Sequence, residues 1–156
     1  MKISWMRCAL AAVTLTAGLG VGQAWAGDCS TGREAGTWAY TYTGTIFTAS
    51  GALPGASVGH FRQGWSGKLS GSQSRSVAGT SGDEDISGSI TVNADCSASA
   101  TINVLVGGEL QRTALLDLVY DQGGNHVRGI FKSLALADGT NVPVTITIEG
   151  SRVISK

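Results

Sequence analysis

The sequence predicts an all-β protein, an antiparallel meander of about eight strands closed into a β-barrel. Three observations carry that expectation. Apolar residues recur at every second position through segment after segment, which places them on one face of a strand. Short Gly, Asn, Asp and Ser breaks separate the segments at regular spacing. No segment beyond the N-terminal stretch has the three-to-four spacing of an amphipathic helix. The 156 residues include 23 Gly and only 2 Pro, as many tight turns require. Closing eight strands removes exposed edges. The competing architecture is a two-sheet sandwich with Greek-key crossings, and the short connections favour the meander.

The clearest strand runs from Thr37 to Phe47, where Trp38, Tyr40, Tyr42 and Ile46 alternate with threonines. Gly51 to Gly55 reads as a loop containing Pro54, and Val58 to Trp65 as a second strand. Lys68 to Val77 is a weak, polar third strand, and Thr80 to Glu84 reads as a turn. Ile86, Gly88, Ile90 and Val92 alternate with Ser and Thr, and the chain turns at Asn93–Ser97. Ala100, Ile102, Val104 and Val106 mark the next strand, which ends at Gly107-Gly108. Leu110 to Tyr120 has a composition open to helix. The Gln122-Gly123-Gly124-Asn125 turn makes it the first arm of a hairpin with Val127 to Leu136. Asp138-Gly139 signals another turn before Val142 to Ile148.

The N-terminus is an address. Lys2 and Arg7 precede an apolar stretch from Cys8 to Val21, and Ala24-Trp25-Ala26 has the small-x-small form of a cleavage site. Residues 1–26 therefore read as a secretory signal peptide and 27–156 as one β-barrel domain. The apolar run is broken by Gly18, Gly20 and Gly22 and is short for a retained anchor. The expected location is secreted or periplasmic, with no membrane span after cleavage. Two cysteines remain, Cys29 and Cys96. In an oxidising compartment a lone pair reads as one disulfide, worth roughly 4 kcal/mol in a chain-entropy model.

Composition narrows the function. Charged residues make up 14% of the chain and its formal net charge is zero. That argues against disorder through self-repulsion, and no basic footprint for nucleic acid is present.

Gly36-Thr37-Trp38-Ala39-Tyr40, Val58-Gly59, Ser70-Gly71, the run Gly88 to Cys96 (GSITVNADC) and the run Arg112 to Tyr120 (RTALLDLVY) together resemble a family of secreted bacterial proteins. Its members carry a G-T-Y-x-Y opening and a G-x-Y-T-V-N-x-D-C centre. Trp38 and Ile90 stand here where the family often has Tyr. The resemblance implies a small barrel of the calycin or allene-oxide-cyclase-like kind. It transfers no catalytic residue.

Each motif that would carry chemistry has a plainer explanation. Gly55-Ala56-Ser57-Val58-Gly59 matches the G-x-S-x-G nucleophile elbow, but the elbow needs a helix after the serine, and strand follows here. His60 and His126 are the only histidines and lack metal-ligand spacing. Asp83-Glu84-Asp85 reads as a solvated loop tip, without the alternating ligands of a calcium loop. Glu109, Asp117 and Glu149 suggest no glycosidase pair. No metal site, cofactor or catalytic set emerges, and the balance leans away from an enzyme.

Parity is the most informative feature. The apolar residues of each strand share one parity, whereas Asp117, Arg128, Lys132 and Glu149 take the other. Trp38, Tyr40, Tyr42, Ile90, Val104, Leu118, Phe131 and Ile146 are expected to point inward, leaving an interior almost free of ionisable groups. That suits a packed core or a site for a small apolar ligand, with Trp38, Tyr40, Tyr42, Leu118, Tyr120 and Phe131 as candidate contacts. The alternatives are a cyclase-like barrel that works by shaping a reactive substrate, and a structural or adhesive surface subunit. The pattern specifies no oligomeric state. Intact mass spectrometry of the exported protein should give a chain beginning at Gly27. Retention of residues 1–26 in the soluble exported fraction would refute the processing site.

Overall fold

Alternation of inward apolar and outward polar residues generates eight strands in chain order. They are β1 (Gly36–Thr48), β2 (Gly51–Gln63), β3 (Lys68–Val77), β4 (Thr80–Val92), β5 (Ser97–Val106), β6 (Glu109–Asp121), β7 (His126–Leu136) and β8 (Val144–Arg152). The structure, a computed structural model, describes residues 28–153. The expected signal segment lies outside the described residues. Every strand pairs antiparallel with its sequence neighbour, and β1 pairs with β8, from Trp38 opposite Arg152 to Ile46 opposite Val144. The sheet is a closed up-and-down barrel, as expected from the sequence, rather than a sandwich.

Parity holds along the strands, except that a register shift at Leu115/Leu116 lets β7 change parity between Phe131 and Leu134, both of which face the interior. Trp38, Tyr40, Tyr42, Ile90, Val104, Leu118 and Ile146 are buried, and Phe131 is partly buried against the same core. Asp117, Arg128, Lys132 and Glu149 face out. Slipping a strand by one residue would exchange the two faces, so the apolar pattern specifies the register.

Three boundaries differ from expectation. Gly51–Gly55 is strand, laddered to β1 through Pro54 opposite Thr45. β2 stops at Gln63, and Trp65 sits 81% exposed in the following turn. Thr80–Glu84 belongs to β4, because the chain reverses earlier, at Ala78-Gly79. Both turn residues have positive φ, 48° and 86°, the conformation of a two-residue hairpin whose twist matches its strands. At the end of β5, Val106 escapes the core and is 47% exposed.

The two barrel ends differ. At one end, residues 28–35 fold across the opening. The Cys29–Cys96 disulfide ties this segment to the β4–β5 turn. Val92 N donates to Thr31 Oγ1 (3.0 Å), and Gln63 Nε2 donates to Thr31 O (3.1 Å). The Trp38 indole donates to Glu34 O at 3.2 Å. Arg152 caps the seal, bonding Ala35 O (2.7 Å) and Glu34 Oε2 (2.7 Å) while lying 4.9 Å over the Trp38 ring. At the other end no segment of the described residues crosses. The β7–β8 ladder, His126–Ile130 against Thr147–Ser151, lies towards the sealed end and stops short of this one. Beyond it the connection folds back on β7 through Val142 N to Leu134 O (2.8 Å).

Burial of Ile146 at 5% exposure, beside outward-facing Thr147, gives a direct test of facing. Ile146→Ala should destabilise the fold by about 2–5 kcal/mol in urea unfolding. Thr147→Ala should cost well under that, and equal costs would contradict the register.

Candidate functional site

A transverse polar row crosses the apolar interior. Tyr40, Gly59, Gln73 and Glu84 are successive partners across β1, β2, β3 and β4. Gly59 leaves the space this row needs. A Cβ there would lie 2.9 Å from the Tyr40 hydroxyl and 2.8 Å from the Gln73 Cβ. Tyr40 thus reaches over the glycine and donates to Gln73 Oε1 at 2.7 Å, and Gln73 Nε2 donates to Glu84 Oε2 at 2.7 Å.

Two arginines complete the row. Arg112 forks onto Glu84, with Nη1 2.9 Å from Oε1 and Nη2 2.5 Å from Oε2, while Arg75 Nε approaches Oε1 at 2.7 Å. A register shift at Val104/Leu105 inserts Gln111 into the β5–β6 ladder, and Val104 faces Arg112 just inside it. Glu84 is 4% exposed. This corrects two expectations, since Asp83-Glu84-Asp85 is not a loop tip and the interior is not free of ionisable groups. Asp83 and Asp85 do remain on the outer face.

The environment sets the charges. Burial alone would raise the Glu84 pKa. Hydrogen bonds from Arg112, Gln73 and Arg75 outweigh it and hold the carboxyl below its ordinary 4.5. Burial is also the main cause pushing the Tyr40 and Tyr42 phenols above their ordinary range, so both remain neutral donors.

Two voids flank the row. The enclosed one is about 60 Å³ and is walled by Tyr40, Phe61, Ile90, Ala114, Leu118 and Phe131, among others. The second, about 160 Å³, opens at the unplugged end between Tyr42, Ile46, Phe131, Leu134, Val142 and Ile146, with Arg75 and Arg112 at its side. Tyr42, Arg112, Phe131 and Leu134 border both. Of the six candidate contacts, Tyr40, Tyr42, Leu118, Tyr120 and Phe131 line the enclosed void. Trp38 lies beneath it, fully buried in the seal, with its ring edge against Tyr120 at 5.3 Å.

The other candidates are dispersed. Ser57 is buried, and its hydroxyl donates to Ser74 O at 2.9 Å, far in role from an exposed nucleophile. His60 faces solvent, and His126 pairs with Asp121 at 2.9 Å. Asp117 pairs with Lys132 across the outer wall. Among the described residues no group of His, Cys, Asp or Glu is arranged to hold a metal ion, and no helix is long and apolar enough to cross a membrane.

Parity could have revealed the site, for Glu84 has the parity of Ile86 and Arg112 that of Leu116. Gln73 and Arg75 share the parity of Leu69 and Val77, a signal carried by only two apolar residues.

No protein-family model and no curated protein matches the chain. Among solved structures it aligns with the S-type phycobiliprotein lyase CPES from Guillardia theta. The identity is 10% and the TM-score 0.44, over 81% of this chain and 92% of that one.

Linkage gives the Glu84 cluster a pH signature. A carboxyl whose pKa is depressed on folding adds stability above its unfolded value, and that stability is lost as pH falls through the folded value. Glu84→Gln should therefore cost about 1–3 kcal/mol at pH 7. The gap to wild type should narrow on acidification below 4.5, measured by urea unfolding across that range. A gap independent of pH would show that Glu84 is not held as a stabilised carboxylate.

Proposed function

We propose that this is an exported, disulfide-linked barrel that binds a small, largely apolar molecule at its unplugged end and does not act on it catalytically. The observation that carries the reading is the mouth void. Its mostly apolar walls surround about 160 Å³ at the end that no segment of the described residues covers. An apolar cavity of about 150 Å³ is large enough to take a benzene molecule. The enclosed void of about 60 Å³ is too small for a ligand of its own and leaves the barrel interior mainly as core. Tyr42, Phe131 and Leu134 border both spaces, so a body seated in the mouth can reach towards the interior. Export rests on the signal-peptide pattern and on a disulfide of the kind that persists in oxidising compartments.

The cyclase-like alternative draws less support. It needs an enclosed space that shapes its substrate, and the interior is nearly filled. Both Glu84 oxygens accept hydrogen bonds from fixed donors, so the carboxylate is poorly placed to exchange a proton with a ligand. The surface-subunit alternative expects a sheet edge or groove for a neighbour, and closure removes the edges.

Titration with benzyl alcohol, followed by amide NMR, tests the reading. Shifts should concentrate at Tyr42, Ile46, Leu134 and Val142, and Ile46→Trp, which fills the mouth, should weaken binding at least about tenfold. Shifts confined to the outer wall near Val119 and Ile130, or no binding at all, would overturn it.

A further inference from the structure

The charges beside the mouth do not cancel. Two guanidiniums, Arg75 and Arg112, converge on the single carboxylate of Glu84. Arg112 alone can neutralise that carboxylate, through its two parallel bonds. Arg75 adds a second cation and engages Glu84 through Nε only. Among the described residues its terminal nitrogens have no acceptor, and its side chain is 27% exposed at the side of the mouth. The other acidic residues at this end face solvent: Asp83 and Asp85 on the outer face of β4, Glu109 at the start of β6 and Asp138 in the β7–β8 connection, with Asp83 accepting from Ser74 Oγ at 2.6 Å and Asp138 from Thr140 N at 2.8 Å. The inward-facing Glu34 sits at the sealed end with Arg152. An uncompensated positive charge therefore faces a void whose remaining walls are mostly apolar.

We infer that the ligand is an amphipathic monoanion, a small carboxylate with an apolar body about the size of a benzene ring, whose charged end is taken by the terminal nitrogens of Arg75. This rests on the reading of the mouth as the binding site and specifies its ligand class. Arg75 presents two parallel N–H donors in the plane that a carboxylate needs. Glu84 holds the guanidinium by Nε, so the fork is oriented before the ligand arrives and less freedom is lost on binding. Tyr42, Phe131 and Leu134 supply the apolar contact. A neutral molecule of the same shape would leave the Arg75 fork to water.

Benzoate and benzyl alcohol share a ring and differ in charge, and calorimetric titration of the purified protein with each separates the two claims. Wild type should prefer benzoate by at least about tenfold, which is about 1.4 kcal/mol. Arg75→Gln should bring the affinity ratio close to one. Arg75→Lys, which keeps the charge but loses the fork, should retain part of it. Arg62→Gln removes the same charge from the exposed outer wall and should leave the ratio intact. The Arg75 Nε–H resonance of wild type should move with benzoate and not with benzyl alcohol, a readout that does not depend on a variant folding. Equal binding of the two probes, or benzyl alcohol alone binding, would overturn the anion inference and leave the mouth as a binding site. An undiminished preference in folded Arg75→Gln would do the same. Failure of both probes to bind would overturn the anion inference and the binding reading together.

Discussion

The carboxylate of Glu84 is the constraint around which the interior is arranged. It receives bonds from Gln73 and Arg75 on β3 and from Arg112 on β6, two strands along from its own. A buried carboxylate without partners would cost several kcal/mol, so these three side chains must reach it in the folded state. That requirement accounts for Gly59, which clears the way for Tyr40, and it fixes where Arg112 leaves β6. Replacing a whole buried ion cluster with apolar residues is often neutral or stabilising. Stability alone is therefore a weak reason for such a cluster at mid-barrel, and its position beside the mouth is the more informative fact.

The two ends of the barrel complement this arrangement. At the sealed end, polar groups are used up internally. Trp38, Gln63, Tyr120 and Arg152 each bond a neighbour in the seal, and Gly124 packs so closely on the Glu34 carboxylate that a Cβ would lie 2.4 Å from it. Glu34 Oε1 is the one buried side-chain oxygen there without a partner, and its other oxygen is held by Arg152. The disulfide fixes the segment to the β4–β5 turn, so this end has little freedom to open. At the opposite end the β7–β8 ladder has already stopped, and a partly exposed arginine borders a larger void. Any exchange of a small molecule with solvent is favoured there.

Much of the fold was legible because parity is a strict rule for a strand buried on one face. Trp38, Tyr40 and Tyr42 alone define the inner face of β1, and Val144, Ile146 and Ile148 define it for β8. The polar site was harder to see for the same reason. Glu84 follows that parity, but it sits between Asp83 and Asp85, and three acids in a row look like a solvated tip. The parity of Ile86, extended back by one pair of residues, places Glu84 inside. Arg75 and Gln73 had a weaker guide, the shared parity of Leu69 and Val77, since β3 carries Ser and Gly at most other positions. Glu34 and Gln63 could not be reached by periodicity at all. Their burial depends on an irregular segment folding across the barrel end, a tertiary event without a repeating sequence signature.

Volume and charge together limit what this interior can do. A hollow barrel could enclose a large apolar ligand and would need few polar groups. Here aromatic and aliphatic side chains fill most of that space, leaving about 60 Å³ enclosed. Confinement of a substrate has little room in that inner space, and hydrogen bonds from Arg112, Gln73 and Arg75 hold the Glu84 carboxyl below its ordinary 4.5. What stays unsatisfied at the mouth, among the described residues, is one cationic fork beside mostly apolar walls. In a low-dielectric wall such a group interacts strongly with an approaching anion, and the apolar surface beside it rewards an anion that carries a hydrophobic body. The same arginine that helps stabilise the buried carboxylate is thereby the group to which the inferred ligand's carboxylate is assigned.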